Sequence, residues 1–255
     1  MTTTTAAENT AATTPNENTV EQSAAAELVV FTGPSLREHD LTDLRELAAR
    51  RGRRLRLRPP VRRLDLLELT KSGAAQEILM LDGEFGQRLA VSITEVRAVL
   101  ATGQPLAGAS SMGALRAVEC HTLGMTGSGW VYEQYRCGAI DSDGDVALLY
   151  DPEDFTPVTV PLVNVRWLLA QKRAAGLLSA GAVQHALRVA KDLHFRDRRP
   201  SLLRRRWQQQ LPAGTAEVLG PELDDERRDG WDRKRLDGLQ AVRAALGDGD
   251  RAAAA

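Results

Sequence analysis

Two adjacent hydroxyls stand where the pattern of the chain hands a strand over to a helix. A short apolar run, Leu106-Ala107-Gly108, meets Ala109-Ser110-Ser111-Met112-Gly113 and passes at once into the helix-forming Ala114-Leu115-Arg116-Ala117-Val118-Glu119. A helix start leaves backbone N–H groups without intrahelical partners, which suits an anion or a developing oxyanion. The segment fits the nucleophile-elbow pattern G-x-S-x-G with Ala109 in place of the first glycine, which would put Ser111 on the sharp turn as the attacking group in acyl transfer. A second reading is purely architectural: Ser110 caps the helix, and Gly113 lets it pack closely on a sheet.

The elements that must hold these residues follow from apolar patterning. Leu28-Val29-Val30-Phe31-Thr32 reads as a buried strand ended by Gly33-Pro34-Ser35, and Leu41, Leu44, Leu47 and Ala48 then keep helical spacing. Arg54 to Leu57 alternates before Pro59-Pro60, and Val61, Leu64 and Leu67 suggest a short helix face. Ile78-Leu79-Met80-Leu81 is a third strand ended by Asp82-Gly83, and a helix is expected from Val91 to Leu100 before the fourth run at Leu106. Strands alternating with helices pair in parallel with right-handed crossovers, so their carboxyl ends share one edge, where α/β proteins hold ligands. That edge receives Thr32 to Ser35, Arg58 to Pro60, Asp82 to Phe85 and Ala109 to Gly113.

Roles follow from this convergence. Ser111 would attack, amides at the helix start would form the oxyanion hole, and Asp82 or Glu84 would act as base or orienting acid. Arg116 and Glu119, three residues apart, pair with each other on the helix. His121 falls about 15 Å from Ser111 at 1.5 Å per helical residue, so it reads as structural and no triad histidine is at hand.

Of the 255 residues, 43% are apolar and only 4% aromatic, which favours Leu, Val and Ala packing helices on a sheet over an aromatic-layered sandwich. The expected fold is α/β: a parallel Rossmann-like or flavodoxin-like sheet in the first half with helices on both faces, then a helical C-terminal part. Residues 1–26, rich in Thr, Ala, Asn and Glu, read as a disordered tail; 27–198 form the α/β core and 199–255 a helical extension and tail. Leu162 to Ala175, a helix capped by Ser179 and one opened by Pro200 begin the helical half, and Glu222 to Leu246 reads as a final exposed helix. Trp207 and Trp231 read as core packing before partner anchors.

A formal charge of −1 gives no global attraction to nucleic acid, and the basic block at 188–206 reads as solvated helix faces. No stretch approaches a membrane span, and Cys120 and Cys137 offer neither a disulfide framework nor metal-ligand spacing. The chain therefore reads as soluble and cytoplasmic. Asp141-Ser142-Asp143-Gly144-Asp145 opens like a calcium loop, but its Gly comes too early and Pro152 stands where the bidentate Glu belongs, so a turn is expected. Gly124 to Gly129 does not follow a strand as a dinucleotide fingerprint must. Neither a cofactor nor a metal is expected.

Gly33-Pro34-Ser35-Leu36, Pro59-Pro60 with Asp65, Asp82-Gly83-Glu84-Phe85 and above all Gly108 to Ala117 resemble the TfuA-like core family. Gly124-Met125-Thr126-Gly127-Ser128-Gly129, Tyr135 with Gly138, Asp143 to Ala147 and Pro161 to Arg166 extend the resemblance to about residues 28–198. The family is named for trifolitoxin production and accompanies YcaO proteins that make peptide-backbone thioamides. The resemblance implies an accessory protein that engages a thiocarboxylated ThiS-like sulfur carrier and hydrolyses it to sulfide, with Gly33, Ser35, Arg58, Asp65, Gly113, Arg116 and Glu119 on the substrate side. Where relatives carry a His two residues before the match of Glu95 this chain has Ile93, and a Gly before the match of Asp65 is Leu64, so the base stays open. Two function classes remain: a hydrolase of a thioester-like acyl group, and a non-catalytic adaptor joining sulfur carrier and YcaO enzyme.

Overall fold

The computed structural model describes residues 27–71, 76–86 and 88–248. The tail expected at 1–26 and the end of the chain beyond Asp248 lie outside the described residues. The α/β half contains β1 (Glu27–Phe31), α1 (Glu38–Arg50), β2 (Leu55–Arg58), α2 (Asp65–Thr70), β3 (Gln76–Met80), α3 (Ile93–Leu100), β4 (Leu106–Gly108), α4 (Met112–Glu119) and β5 (Thr126–Gly127). Then follow α5 (Trp130–Arg136), α6 (Leu162–Ala174), α7 (Ala180–Lys191), α8 (Pro200–Gln210), α9 (Ala213–Leu219), α10 (Asp225–Arg228) and α11 (Arg233–Ala245).

The five strands are all parallel in the order β2-β1-β3-β4-β5. Of the two arrangements expected, this is the flavodoxin-like one, and the strand order reverses between β1 and β3, where such sheets bind ligands at their carboxyl ends. Alternation along β1 sorts the two faces. Leu28 and Val30 pack with Leu44, Leu47 and Ala48 of α1, whereas Val29 and Phe31 face Leu66 and Leu69 of α2, Val96 and Val99 of α3 and Met112 of α4.

Three expectations need correction. The short helix is α2, with Leu66 and Leu69 buried, while Leu64 lies ahead of it at φ 78° and is 55% exposed; the apolar spacing through Val61, Leu64 and Leu67 was out of phase. Thr126-Gly127, which no apolar run marked as a strand, is an edge strand on β4, a fifth beyond the four expected. The segment Glu222 to Leu246 is neither one helix nor exposed: it breaks into α10 and α11, and α11 lays Ala241 and Val242, followed by Leu246, against Leu28, Val30, Leu79 and Leu81 of the sheet. Beside α1, α11 covers β1 and β3 on this face.

Polar contacts lock α11 in place. Arg235 donates from Nε to Asp40 Oδ2 at 2.8 Å and from Nη2 to Oδ1 at 2.6 Å, and the Asp40 side chain is 3% exposed. Asp237, fully buried, accepts from the Trp130 and Val131 amides and so caps the start of α5. Burial raises the Asp40 pKa, but hydrogen bonds from Arg235 and the Arg37 amide and the Arg235 charge outweigh it and leave the carboxyl below its ordinary value. A carboxyl depressed on folding contributes stability that is present above the unfolded pKa and lost as pH falls through the folded one. Asp40→Asn should therefore lower unfolding free energy by on the order of 1 kcal/mol near neutral pH, and the gap from the parent should close as urea melts are taken into the acid range.

The helical half has its own core, in which Trp207, at 0% exposure, and Trp231, at 3%, pack among Leu168, Leu169, Val189 and Leu203. Both tryptophans are packing residues, with indole N–H groups donated to the Ala186 and Glu222 carbonyls. Ser179 caps α7 through the Ala182 amide, and Pro200 stands in the first turn of α8. No helix among the described residues is long and apolar enough to cross a membrane.

Candidate functional site at the sheet edge

The carboxyl ends of β1, β3 and β4 bring Gly33, Ser35, Asp82, Ser110 and Ser111 together. Gly33 and Ser35 donate their amides to Asp82 Oδ2, each at 2.9 Å, and Ser35 Oγ donates to Oδ1 at 2.7 Å. Ser110 Oγ donates to Ser35 Oγ at 2.8 Å, so a hydroxyl chain runs from the β4–α4 turn to the Asp82 carboxylate. All three side chains in this chain are buried. A β-carbon on Gly33 would run into the Pro60 ring, so glycine there lets the β1 turn pass beneath the loop after β2.

The two serines have different positions from those the elbow pattern suggested. Ser110, not Ser111, takes the left-handed turn, at φ 69°, and the helix N-cap is Ser111, without a side-chain capping bond. Ser110 is therefore not a cap; its hydroxyl is committed to Ser35. A non-glycine residue in this region is strained by on the order of 1 kcal/mol and persists where its surroundings over-determine it, as the buried hydroxyl chain does here. Ser111 lines a cavity of about 410 Å³ with Asp82, Glu84 and Phe85 on one side and residues from Asp143 to Tyr150 on the other. No hydrogen bond from the Ser111 hydroxyl occurs among the described residues.

The α4 amides are partly committed. Ser111 N–H donates to the Ala109 carbonyl at 2.8 Å and Gly113 N–H to the Leu81 carbonyl at 3.1 Å, which leaves Met112 and Ala114 as the donors the first turn can offer. Gly113 serves close packing: a β-carbon there would collide with the Met80 carbonyl, and one on Gly108 with the Gly113 carbonyl. Gly113→Ala should force α4 off the sheet, lowering unfolding free energy by about 1–3 kcal/mol in urea melts and shifting the serine pair with it.

Glu84 lines the cavity, accepts the Tyr150 hydroxyl at 2.7 Å and faces Arg62 at 3.3 Å. Burial, and then the Glu84 carboxylate it bonds, push the Tyr150 hydroxyl pKa upward, so Tyr150 stays a neutral donor. The remaining residues read as substrate-binding stand apart from this cavity. Arg58 lies over the Phe31 ring at 5.5 Å, and Asp65 accepts the Arg62 amide at 2.8 Å where α2 begins. Arg116 pairs with Glu119 and donates Nε to the Val91 carbonyl at 3.0 Å, fixing the loop before α3. His121 bonds the Val118 carbonyl at the far end of α4.

Sequence reasoning missed the cation. Lys234, at the start of α11, is 2% exposed, lines the cavity, donates Nζ to the Val146 carbonyl at 3.1 Å and lies 3.8 Å from Asp82 Oδ1. It is steered there by the turn before α11, where Asp232 accepts Arg37 Nη2 and Asn164 Nδ2, both at 2.8 Å, while Asn164 Oδ1 accepts the Lys234 amide. Burial lowers the Lys234 pKa, against the opposing pull of Asp82 and Asp232. In the loop opposite, Asp145 pairs with Arg166 at 2.7 Å and Ser142 caps the Gly144 amide, the hydrogen bonding of a structural turn.

The cavity thus presents an unbonded hydroxyl, carboxylates and a buried ammonium at the ligand-binding edge of the sheet. Residues 82–199 match the model of a family described as TfuA-like protein. The match begins at Asp82, includes Glu84, both serines and Gly113, and leaves out Gly33, Ser35 and Lys234. No curated protein matches the chain.

Proposed function

We propose, from the match of residues 82–199 to the model of a TfuA-like protein family, that the chain is the accessory protein of a YcaO-dependent peptide-backbone thioamidation. In this reading it hydrolyses a thiocarboxylated ThiS-like sulfur carrier to supply sulfide. The observation that carries the proposal is the free Ser111 hydroxyl lining a cavity beside the buried Asp82–Ser35–Ser110 chain. Hydrolysis of a thiocarboxylate is acyl transfer to water, and a cavity-lining hydroxyl at a helix start, with the Met112 and Ala114 amides in the same turn, suits attack on a carbonyl carbon and stabilisation of the oxyanion. Asp82, held by two amides and a hydroxyl, orients Ser35 and through it the turn that aims Ser111; Glu84, tied to Tyr150 and Arg62, shapes the wall opposite.

Purified protein incubated with the thiocarboxylated carrier should release sulfide and leave the carrier with a carboxylate end, read by sulfide assay and intact-mass measurement. If the carrier binds and stays thiocarboxylated while the YcaO enzyme is still stimulated, the chain is an adaptor and the hydrolase reading fails.

A further inference from the structure

We propose that Lys234 meets the anionic sulfur of the substrate, its ammonium binding the thiocarboxylate in the cavity and passing the serine proton to the departing sulfur. The inference rests on the thiocarboxylate reading above and assigns a residue outside the family match.

An ammonium has three donors and no acceptor. One Lys234 donor goes to the Val146 carbonyl at 3.1 Å, and Asp82 Oδ1, at 3.8 Å, is beyond hydrogen-bond length although close enough to balance charge. A donor is left for the cavity that Lys234 and Ser111 both line. The other cation on that lining, Arg196, is exposed and lies over the Phe195 ring at 5.6 Å, so the buried positive charge in the cavity belongs to Lys234. Burying a charge is costly, and here three side-chain carriers, Asp232, Asn164 and Arg37, fix the turn that presents it. Packing on the sheet alone would be met by an apolar side chain at this position.

The chemistry requires such a group. A thiocarboxylate is an anion, and its sulfur would depart as a dianion unless protonated. Ser111 Oγ forms a bond to the carbonyl carbon, the C–S bond breaks, and sulfur leaves with its electron pair. Lys234 gives that sulfur a proton and takes the one released by Ser111, so the first step yields acyl-serine and HS⁻. Water then attacks the acyl carbon, returns a hydrogen to Ser111, and leaves a carboxylate and a proton. Burial, by lowering the Lys234 pKa, brings the amine closer to a proton exchange at neutral pH.

Thioacetate, the simplest convenient thiocarboxylate anion, is the probe, and the full chain has only four lysines, Lys71, Lys172, Lys191 and Lys234. In parent protein labelled with 13C-lysine, thioacetate should shift one lysine signal, the one missing from Lys234→Met. Sulfide release from thioacetate by Lys234→Met should fall by about a hundredfold or more, and Lys234→Arg should keep thioacetate binding while losing turnover. Urea melts establish which variants are folded; if neither is, a parent spectrum in which no lysine responds to thioacetate overturns the proposal. Parent-like release by folded Lys234→Met overturns it too, and leaves the hydrolase reading standing. A lysine that responds to thioacetate in a parent that releases no sulfide supports the anion-binding role and sinks the hydrolase reading instead.

Discussion

Truncation after Gly230, which removes α11, should abolish cooperative folding of the α/β half. The helix covers Leu28, Val30, Leu79 and Leu81 with Ala241, Val242 and Leu246, so its loss exposes one face of β1 and β3. Uncovering several large aliphatic side chains costs about 1.5–3 kcal/mol for each one fully exposed, and a domain's entire stability is about 5–15 kcal/mol. The loss compounds. Asp40 loses Arg235, the α5 amides lose the Asp237 carboxylate, and Asp82 loses the Lys234 charge. Far-UV circular dichroism with a urea melt tests this directly. A truncated chain that retained a sharp transition near the parent midpoint would mean that α11 is a dispensable extension. Cutting instead after Asp248 should leave the transition where it is, since among the described residues the cluster against this face ends at Leu246.

That dependence shows where the sequence was legible. The strands β1, β3 and β4 were readable because strands buried on both faces become apolar runs ended by turn residues. Parallel pairing then forces their carboxyl ends together whatever the strand order. Gly33, Ser35, Asp82 and the serine pair were therefore found as neighbours although Ser35 and Ser110 are far apart in the chain. The helix α11 was misread because its buried stripe contains charges: Lys234, Asp237, Gly238, Ala241 and Val242 recur at helical spacing, but two of the five are ionic. Ion pairs satisfied by Asp82 and Arg233 make that stripe buriable, and a hydropathy pattern has no means of expressing it. The signal was the spacing itself, preceded by Asp232 as a cap and Trp231 as an apolar anchor. Likewise β5 is two residues, Thr126 and Gly127, too short to carry a period, and only its pairing with Ala107 and Gly108 makes it a strand. Between the serines, the elbow pattern gave the right turn and the wrong residue for it, since the left-handed backbone falls on Ser110.

Ser111→Ala should lower sulfide release from a thiocarboxylated carrier on the order of a hundredfold or more, with little change in carrier binding or unfolding free energy. The substitution deletes a hydroxyl that makes no hydrogen bond among the described residues, and Ser111, although the N-cap of α4, has no side-chain capping bond for alanine to lose. Ser110→Ala has a different expected signature. It removes the Ser35 partner and leaves a left-handed backbone without the hydrogen bond that helps hold it, so it should cost about 1–2 kcal/mol of stability, because a buried hydrogen bond is lost. Its effect on release would come through the aim of the turn, as a smaller loss that grows with temperature as the turn loosens. Measuring release and a urea melt on both variants separates the roles. Were Ser110→Ala to abolish turnover at parent stability while Ser111→Ala turned over normally, the attacking hydroxyl would be the one on the strained turn. The chain Ser110–Ser35–Asp82 would then be its proton path rather than its scaffold, and the oxyanion donors would have to be sought one residue earlier, at the Ser111 amide now held by Ala109.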